Sequence, residues 1–367
     1  MTADKNPKVI TTPDAAKPRA STSSDEGLVK KKKYYGWRKN ASVRSVFYKG
    51  KTINFPLCDT AMQSTVYRML RLIEKTDKDD LIGIDVKWLD AEINDLHDVR
   101  ECLYRCNVVA SLYKFERRRE TSNPKRFGEW GKRNCNHTVA KRIVNFASDC
   151  AVPCPDVLNN HYESFSSETY GETNFNQMKL ICDELKCDKN TVFVDLGSGI
   201  GKLVCYMAAY ARCKKSVGIE LSDVPAKYAN NVGQYFKSLM AFFGKRCGKF
   251  ELHQGNILDE KFYHLITEEA TVIFINNVQF DEKLNFDIKH LLQYCKPGTK
   301  IVTTKALGDV NQRPLTRRTC GDFDALSVTR RMKSVANNVS WTGREVPFWC
   351  TTMDQKRVIA FFKKLRR

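Results

Sequence analysis

The 367-residue chain has no apolar run long enough to cross a bilayer, and its polar N-terminus lacks the core of a signal peptide. An intracellular, soluble protein without a membrane partner is expected. Acidic residues are in deficit, 42 against 61 Lys and Arg, which leaves a net charge of +19. A balance of that size does not specify a fold, but it favours a polyanionic partner and makes binding depend on salt. No C-x-x-C knuckle occurs among the 14 cysteines. Cys102, Cys106, Cys135, His137, Cys150 and Cys154 have metal-ligand chemistry but not the spacing of a zinc site, and Cys205, Cys247, Cys295 and Cys350 fall in apolar segments where a thiol packs as a small hydrophobe. Free thiols and no metal are expected.

What the chain does carry is Val192-Phe-Val-Asp-Leu-Gly-Ser-Gly-Ile-Gly-Lys202, followed by Val217-Gly-Ile-Glu220. The apolar run ending in Asp195 reads as a buried parallel strand, the glycines as a tight turn, and 202–212 as a helix. Gly197, Gly199 and Gly201 give G-x-G-x-G, whereas a nicotinamide fingerprint needs its third glycine where Lys202 stands. Asp195 beside the turn would repel a pyrophosphate and suits a cationic ligand such as S-adenosyl-L-methionine. Glu220, ending the second strand, is placed to accept both hydrogen bonds of a ribose diol. A glycine-rich turn alone could be ligand-free; the two acids argue for a cofactor.

The chain divides into three parts. Residues 1–29, rich in Thr, Ser, Lys and Pro without periodicity, read as a disordered tail. Residues 30–160 form a basic region, mainly helical by the spacing of apolar residues in 66–73, 103–115 and 137–146. Residues 161–367 alternate elements: a helix opened by Asn174 and Gln177 as a capping box, then strands near 192–196, 216–220, 249–254, 271–276 and 299–304, with helices near 201–212, 224–247 and 282–294. Strands at 326–333 and 348–354 and a basic helix from Arg357 complete it. Such alternation means a parallel sheet covered on both faces, and two late strands make it seven-stranded. The fold class expected is α/β, a class I seven-stranded S-adenosylmethionine-dependent methyltransferase (Rossmann-like) domain preceded by a mostly α-helical N-terminal region.

Tyr170-Gly-Glu-Thr-Asn-Phe175, the Asp-Leu-Gly-Ser-Gly-Ile-Gly turn, Val224-Pro-Ala-Lys-Tyr-Ala229, Phe274-Ile-Asn-Asn-Val-Gln-Phe280 and Val339-Ser-Trp-Thr-Gly343, in that order, resemble the disruptor of telomeric silencing family. Its members are non-SET methyltransferases that modify a lysine on the folded surface of histone H3 in the nucleosome. The resemblance implies that Thr169, Tyr170 and Thr173 belong to a loop over the methionine end of the cofactor, and that Asp195 meets its amino group. It further implies that Gly197, Gly199 and Lys202 line the turn, that Glu220 takes the ribose, and that Asn256 and Ile257 meet the adenine. Asn276, Phe280 and Phe348 are the candidate catalytic residues, flanking the methyl group and walling the lysine channel. Three positions depart from the family pattern: Asn256-Ile257 for Asp-Phe, Lys202 for glutamine, and Phe348 for tyrosine.

The implied function is histone-lysine N-methylation on the nucleosome-core surface of H3. The implied partners are histone H3 and DNA in the nucleosome and a ubiquitinated histone; the chain is expected to be a nuclear monomer. A chromatin-binding pseudoenzyme of the same fold with weak or no catalysis is the alternative. Asn276-Asn-Val-Gln-Phe280 lacks the two prolines with which amino-methylating nucleic-acid enzymes hold a base, which argues against base methylation.

Overall fold

A computed structural model describes residues 40–44, 52–56, 129, 132–152, 158 and 171–366. Strands β1 (Asn40–Arg44) and β2 (Thr52–Pro56) pair as an antiparallel hairpin inside the region expected to be mainly helical. The helices expected at 66–73 and 103–115, the tail and the basic run Lys30 to Lys33 lie outside the described residues. Helix α1 (His137–Ala151) starts on the Asn136 side chain, which accepts from the backbone N–H of Val139, and continues past Phe146.

The main body follows as α2 (Phe175–Leu185), β3 (Val192–Leu196), α3 (Lys202–Tyr210), β4 (Lys215–Glu220), α4 (Asp223–Phe242) and β5 (Lys249–Gln254). Next come α5 (Glu260–His264), which runs into a π-turn, β6 (Val272–Ile275), α6 (Glu282–Leu292), β7 (Lys300–Thr303), β8 (Ser327–Arg331), β9 (Trp349–Met353) and α7 (Lys356–Leu365). The sheet order is β5-β4-β3-β6-β7-β9-β8, parallel except for β9, which runs antiparallel to both neighbours. This is the class I seven-stranded arrangement expected from the sequence.

The central strand β3 is buried along its whole length because helices cover both faces of the sheet. On one face Phe193, Phe274 and Val302 join α1 to α4 in a single core. The other face, with Val194, Leu196, Ile219 and Ile275, is covered by α5 and α6. Helix α1 packs on α3 and α4. Edge strand β8 alternates buried and open positions before ending in exposed Arg330 and Arg331, a pattern that discourages pairing with a further strand.

Some boundaries differ from expectation for local reasons. Helix α4 stops at Phe242 rather than near 247 because Gly244 takes a left-handed φ of 62°, and Lys245 N–H closes back on Met240 C=O. Asn174 does cap α2, through the N–H of Asn176, but Gln177 does not complete a capping box. Its side chain is fully buried and bridges Lys333 C=O and Val335 N–H instead. Helix α5 and its π-turn were not expected at all; the stretch is too short for a helical apolar period to register.

Candidate active site

Between β3 and β6 the sheet order reverses direction, the place where open α/β sheets leave a crevice at the carboxyl ends of their strands. Register brings the acids there: Asp195 pairs with Gly218 on β4 and Phe274 on β6, while Glu220 ends β4 two residues further on. The glycine turn begins at once, since the N–H groups of Gly197 and Ser198 both donate to Ile219 C=O. Gly197, Gly199 and Gly201 have φ of 83°, 54° and 76°, so side chains at these positions would be strained. At Gly201 a Cβ would also fall 2.5 Å from Leu252 Cδ2. The turn therefore stays bare at these three positions, and a ligand can approach its backbone there.

A cavity opens over this turn. It is lined by Asp195, Gly197, Gly199, Lys202, Glu220, Asn256, Ile257, Asn276, Phe280 and Thr173, all of them sequence candidates. Thr169 and Tyr170 lie outside the described residues. Phe348 is not brought to the cavity: it is fully buried and stacked on Phe274, ring centroids 6.4 Å apart, and Phe274 is the ring that lines the wall. Gly171, Glu172, Phe175, Ser198, Leu221, Phe274 and Leu284 also line it and were not singled out from sequence. Gly171 and Glu172 lie inside the Tyr170-Gly-Glu-Thr motif, so a signal for them existed.

Electrostatics in the crevice are one-sided. Asp195 is 3% exposed, and burial, with the Glu220 charge adding to it, holds its carboxyl well above the ordinary carboxylate range. Both influences oppose ionisation. Glu220 is buried but well solvated by the chain, its two oxygens accepting from Gly199 N–H at 2.7 Å and Ser222 N–H at 2.9 Å. Lys202 answers Glu172 in an ion pair of 2.5 Å.

The cavity roof is the strand-like segment 171–174. Thr173 pairs with Val339 in an antiparallel bridge, Ser340 N–H donates to Glu172 C=O, and Asn174 N–H donates to Asn338 C=O. Trp341 packs against Gly171, where a Cβ would come 2.5 Å from its ring. Only glycine fits there. The roof is tied to the sheet by Asn276, whose Nδ2 donates to Gly171 C=O at 3.1 Å while its Oδ1 accepts from Thr304 at 3.0 Å.

Beneath Asn276, the fully buried Asn277 donates to Asn285 Oδ1 and Lys305 C=O and accepts from Lys305 N–H. Asn285 in turn donates to the Phe280 C=O at 2.8 Å. This amide chain fixes the loop that carries Phe280, whose Cζ is 3.5 Å from where a Gly197 Cβ would stand. Sequence reading passed over Asn277, Asn285 and Thr304, because a buried amide and a solvated one look alike in sequence. Asn256 is exposed and its Oδ1 accepts from Leu258 N–H, while Ile257 is buried against the α5 side of the sheet.

S-adenosyl-L-methionine fits these residues on two observations. Thr173 Oγ1 is buried in the cavity wall with no hydrogen-bond partner, as a hydroxyl awaiting a ligand atom would be. The floor holds a buried carboxyl whose ionisation is opposed by burial and by the Glu220 charge, which a cation would relieve.

The sequence profile of a family described as histone methylation protein DOT1 matches residues 148–353. A Caenorhabditis elegans protein named histone-lysine N-methyltransferase, H3 lysine-79 specific, is 45% identical over 326 residues, covering 89% of this chain and 34% of that protein. A Drosophila melanogaster protein of the same name is 30% identical over 229 residues, covering 62% and 12%. The chain thus spans a minority of each relative's length. Among solved structures, an O-methyltransferase from Bacillus cereus in complex with SAH gives a TM-score of 0.34 at 13% identity, covering 59% of this chain and 100% of that one.

Proposed function

Because the chain belongs to the histone methylation protein DOT1 family, we propose that it is a histone-lysine N-methyltransferase acting on a lysine of the nucleosome-core surface of histone H3. The observation that carries the reading is the crevice itself. Asp195 and Glu220 stand at neighbouring strand ends across a glycine-rich turn, with Asn276 and Phe280 beyond the facing strand end.

In this reading Asp195 holds the ligand's ammonium, Glu220 its ribose, and Asn256 and Ile257 its adenine, with Thr173 in the roof. S-adenosyl-L-methionine, when bound, supplies a sulfonium methyl group that is transferred by in-line displacement. The chain's part is to align a neutral amine and keep water out. Holding a lysine neutral near pH 7 costs about 4 kcal/mol from its free pKa near 10.4. Phe280, Phe274 and Leu284 supply the apolar wall that disfavours the ammonium form, so no general base is required. Asn276, held from both ends by Gly171 and Thr304, orients the roof above this wall. Phe348 acts through Phe274 by packing rather than by touching substrate.

Residues 161–367 form the catalytic unit of this reading, 30–160 a basic flank and 1–29 a tail; the protein works in the nucleus as a monomer, against nucleosomal DNA and a ubiquitin-bearing histone. The net charge of +19 supports the DNA contact. Incubation with recombinant nucleosomes and methyl-labelled cofactor, read by mass spectrometry of histone H3, tests it. Methylated H3 lysine is expected. Cofactor binding with unlabelled nucleosomes would instead favour a chromatin-binding pseudoenzyme.

A further inference from the structure

Helix α2 ends in a way that sets two thiols against each other. Lys186 takes a left-handed φ of 56°, and its N–H and that of Cys187 turn back to donate to Asp183 C=O at 3.2 Å and Cys182 C=O at 2.9 Å. This pair of bonds is the Schellman closure, in which the side chain of the sixth residue packs on that of the first. That contact is ordinarily apolar. Here both members are cysteines, and the Cys182 thiol hydrogen-bonds the Cys187 sulfur. Cys182 is 2% exposed, whereas Cys187 is half-buried and partly open to solvent.

The surroundings make the two thiols unequal. The hydrogen bond from Cys182, with the Lys300 ammonium adding to it, holds the Cys187 thiol below its ordinary range, against burial and the charges of Asp188 and Asp183. Lys300 is fixed there by its bond to Leu185 C=O, 3.1 Å away at the same helix end. Cys182 is pushed up, by that same thiol bond and by burial. A thiolate is the attacking form of sulfur, and a neighbouring thiol turns its first oxidation product into a disulfide. Cys213, fully buried between α3 and β4, is pushed up to about 12 by burial.

We propose that Cys187 and Cys182 form a dithiol oxidised by hydroperoxides, a modification site with Cys187 as the attacking sulfur and Cys182 as the resolving one. The Cys187 thiolate attacks one peroxide oxygen: an S–O bond forms, the O–O bond breaks, and the leaving hydroxide takes up the proton that Cys187 released. The Cys182 sulfur then attacks the sulfenic sulfur: an S–S bond forms, the S–O bond breaks, and hydroxide leaves with the Cys182 proton as a second water. Two electrons pass from the thiols to the peroxide. In a reducing compartment exchange with a dithiol returns the pair to thiols, so the disulfide is a passing state. The pair precedes the amino end of β3, whereas Asp195 lies near its carboxyl end, so neither sulfur lines the crevice.

Hydrogen peroxide on the full, reduced chain tests it. After titration the remaining thiols are alkylated and the chain is cut with trypsin, which cleaves after Lys179, Lys186 and Lys189 and so places the two cysteines on peptides 180–186 and 187–189. These peptides should appear joined by a disulfide, their alkylated forms lost together and before those of the exposed Cys247 and the partly exposed Cys320. Dithiothreitol should restore both. In Cys182→Ser, with Cys182→Ala in reserve against a folding failure, Cys187 should stop at the sulfenic acid and take up dimedone, and Cys187→Ser should leave Cys182 unoxidised. Cys187 alkylated as fully as Cys247 after peroxide, a link from Cys187 to Cys213 in place of Cys182, or no dimedone on a folded Cys182 variant would overturn the assignment. The wild-type digest decides alone if neither variant folds.

Discussion

Replacing Asp195 by asparagine should stabilise the protein while crippling its site. The carboxyl is 3% exposed and faces the Glu220 charge. Register sets their separation: Asp195 pairs with Gly218, so Glu220 lies one strand across and two residues along. With strand spacing of roughly 4.8 Å and a rise of roughly 3.3 Å per residue, that diagonal is about 8 Å. Two unit charges at that distance repel by about 2 kcal/mol at an effective dielectric constant of 20. An amide of the same shape removes the repulsion, and a rise in Tm of roughly 4–8 °C follows for a domain of this size.

The effect should depend on pH in a definite sense. A carboxyl whose native pKa is raised above its unfolded value penalises the native state at pH above the native pKa, and the penalty is relieved as pH falls through it. The Tm advantage of Asp195→Asn should therefore be larger at pH 8 than at pH 5. Ligand affinity should move the other way, weakening about 10- to 100-fold because an amide oxygen offers an ammonium ion no countercharge. Thermal unfolding at pH 8 and pH 5, with calorimetry on S-adenosyl-L-homocysteine, measures both. An unchanged or lowered Tm at pH 8, with affinity intact, would refute the claim that this carboxylate is held for a cationic ligand.

Two further outcomes follow from the same geometry. Asn277→Ala, which strands the Lys305 backbone groups and Asn285, should cost about 2–4 kcal/mol in denaturant unfolding and loosen the Phe280 loop; a loss under 1 kcal/mol would show that the buried amide chain is incidental. Charge reversal at Arg317 and Arg318, both exposed, should weaken nucleosome binding and lower its salt slope by roughly one to two. An unchanged slope would place the DNA contact elsewhere.

The sheet was legible in the sequence because its strands are continuous apolar runs ending in residues of a different kind: Asp195, Glu220 and Asn276 each punctuate a buried run. Asp195 and Glu220 stood out as candidates for the same reason, whereas Asn276 was a candidate through the resemblance. Phe348 was assigned to the channel through the resemblance, as the counterpart of a tyrosine, and a family motif cannot say which of two stacked rings, Phe274 or Phe348, comes first. The roof was legible only in part. Its motif residues were visible, but the need for glycine at 171 arises from Trp341, far along the chain, and no local pattern carries that distance.

That distance has a consequence for synthesis. The roof strand waits for its partner across 168 residues, since Glu172 N–H donates to Ser340 Oγ and Thr173 bridges to Val339. A nascent polypeptide that has released the glycine turn and both acids from the ribosome still has an uncovered crevice until the segment around Val339 emerges. Contacts so remote in sequence form late, after most of the parallel strands have aligned. Capture of the methyl donor is thereby deferred until that segment has emerged, and fragments cut short of it would leave the donor exposed to bulk water.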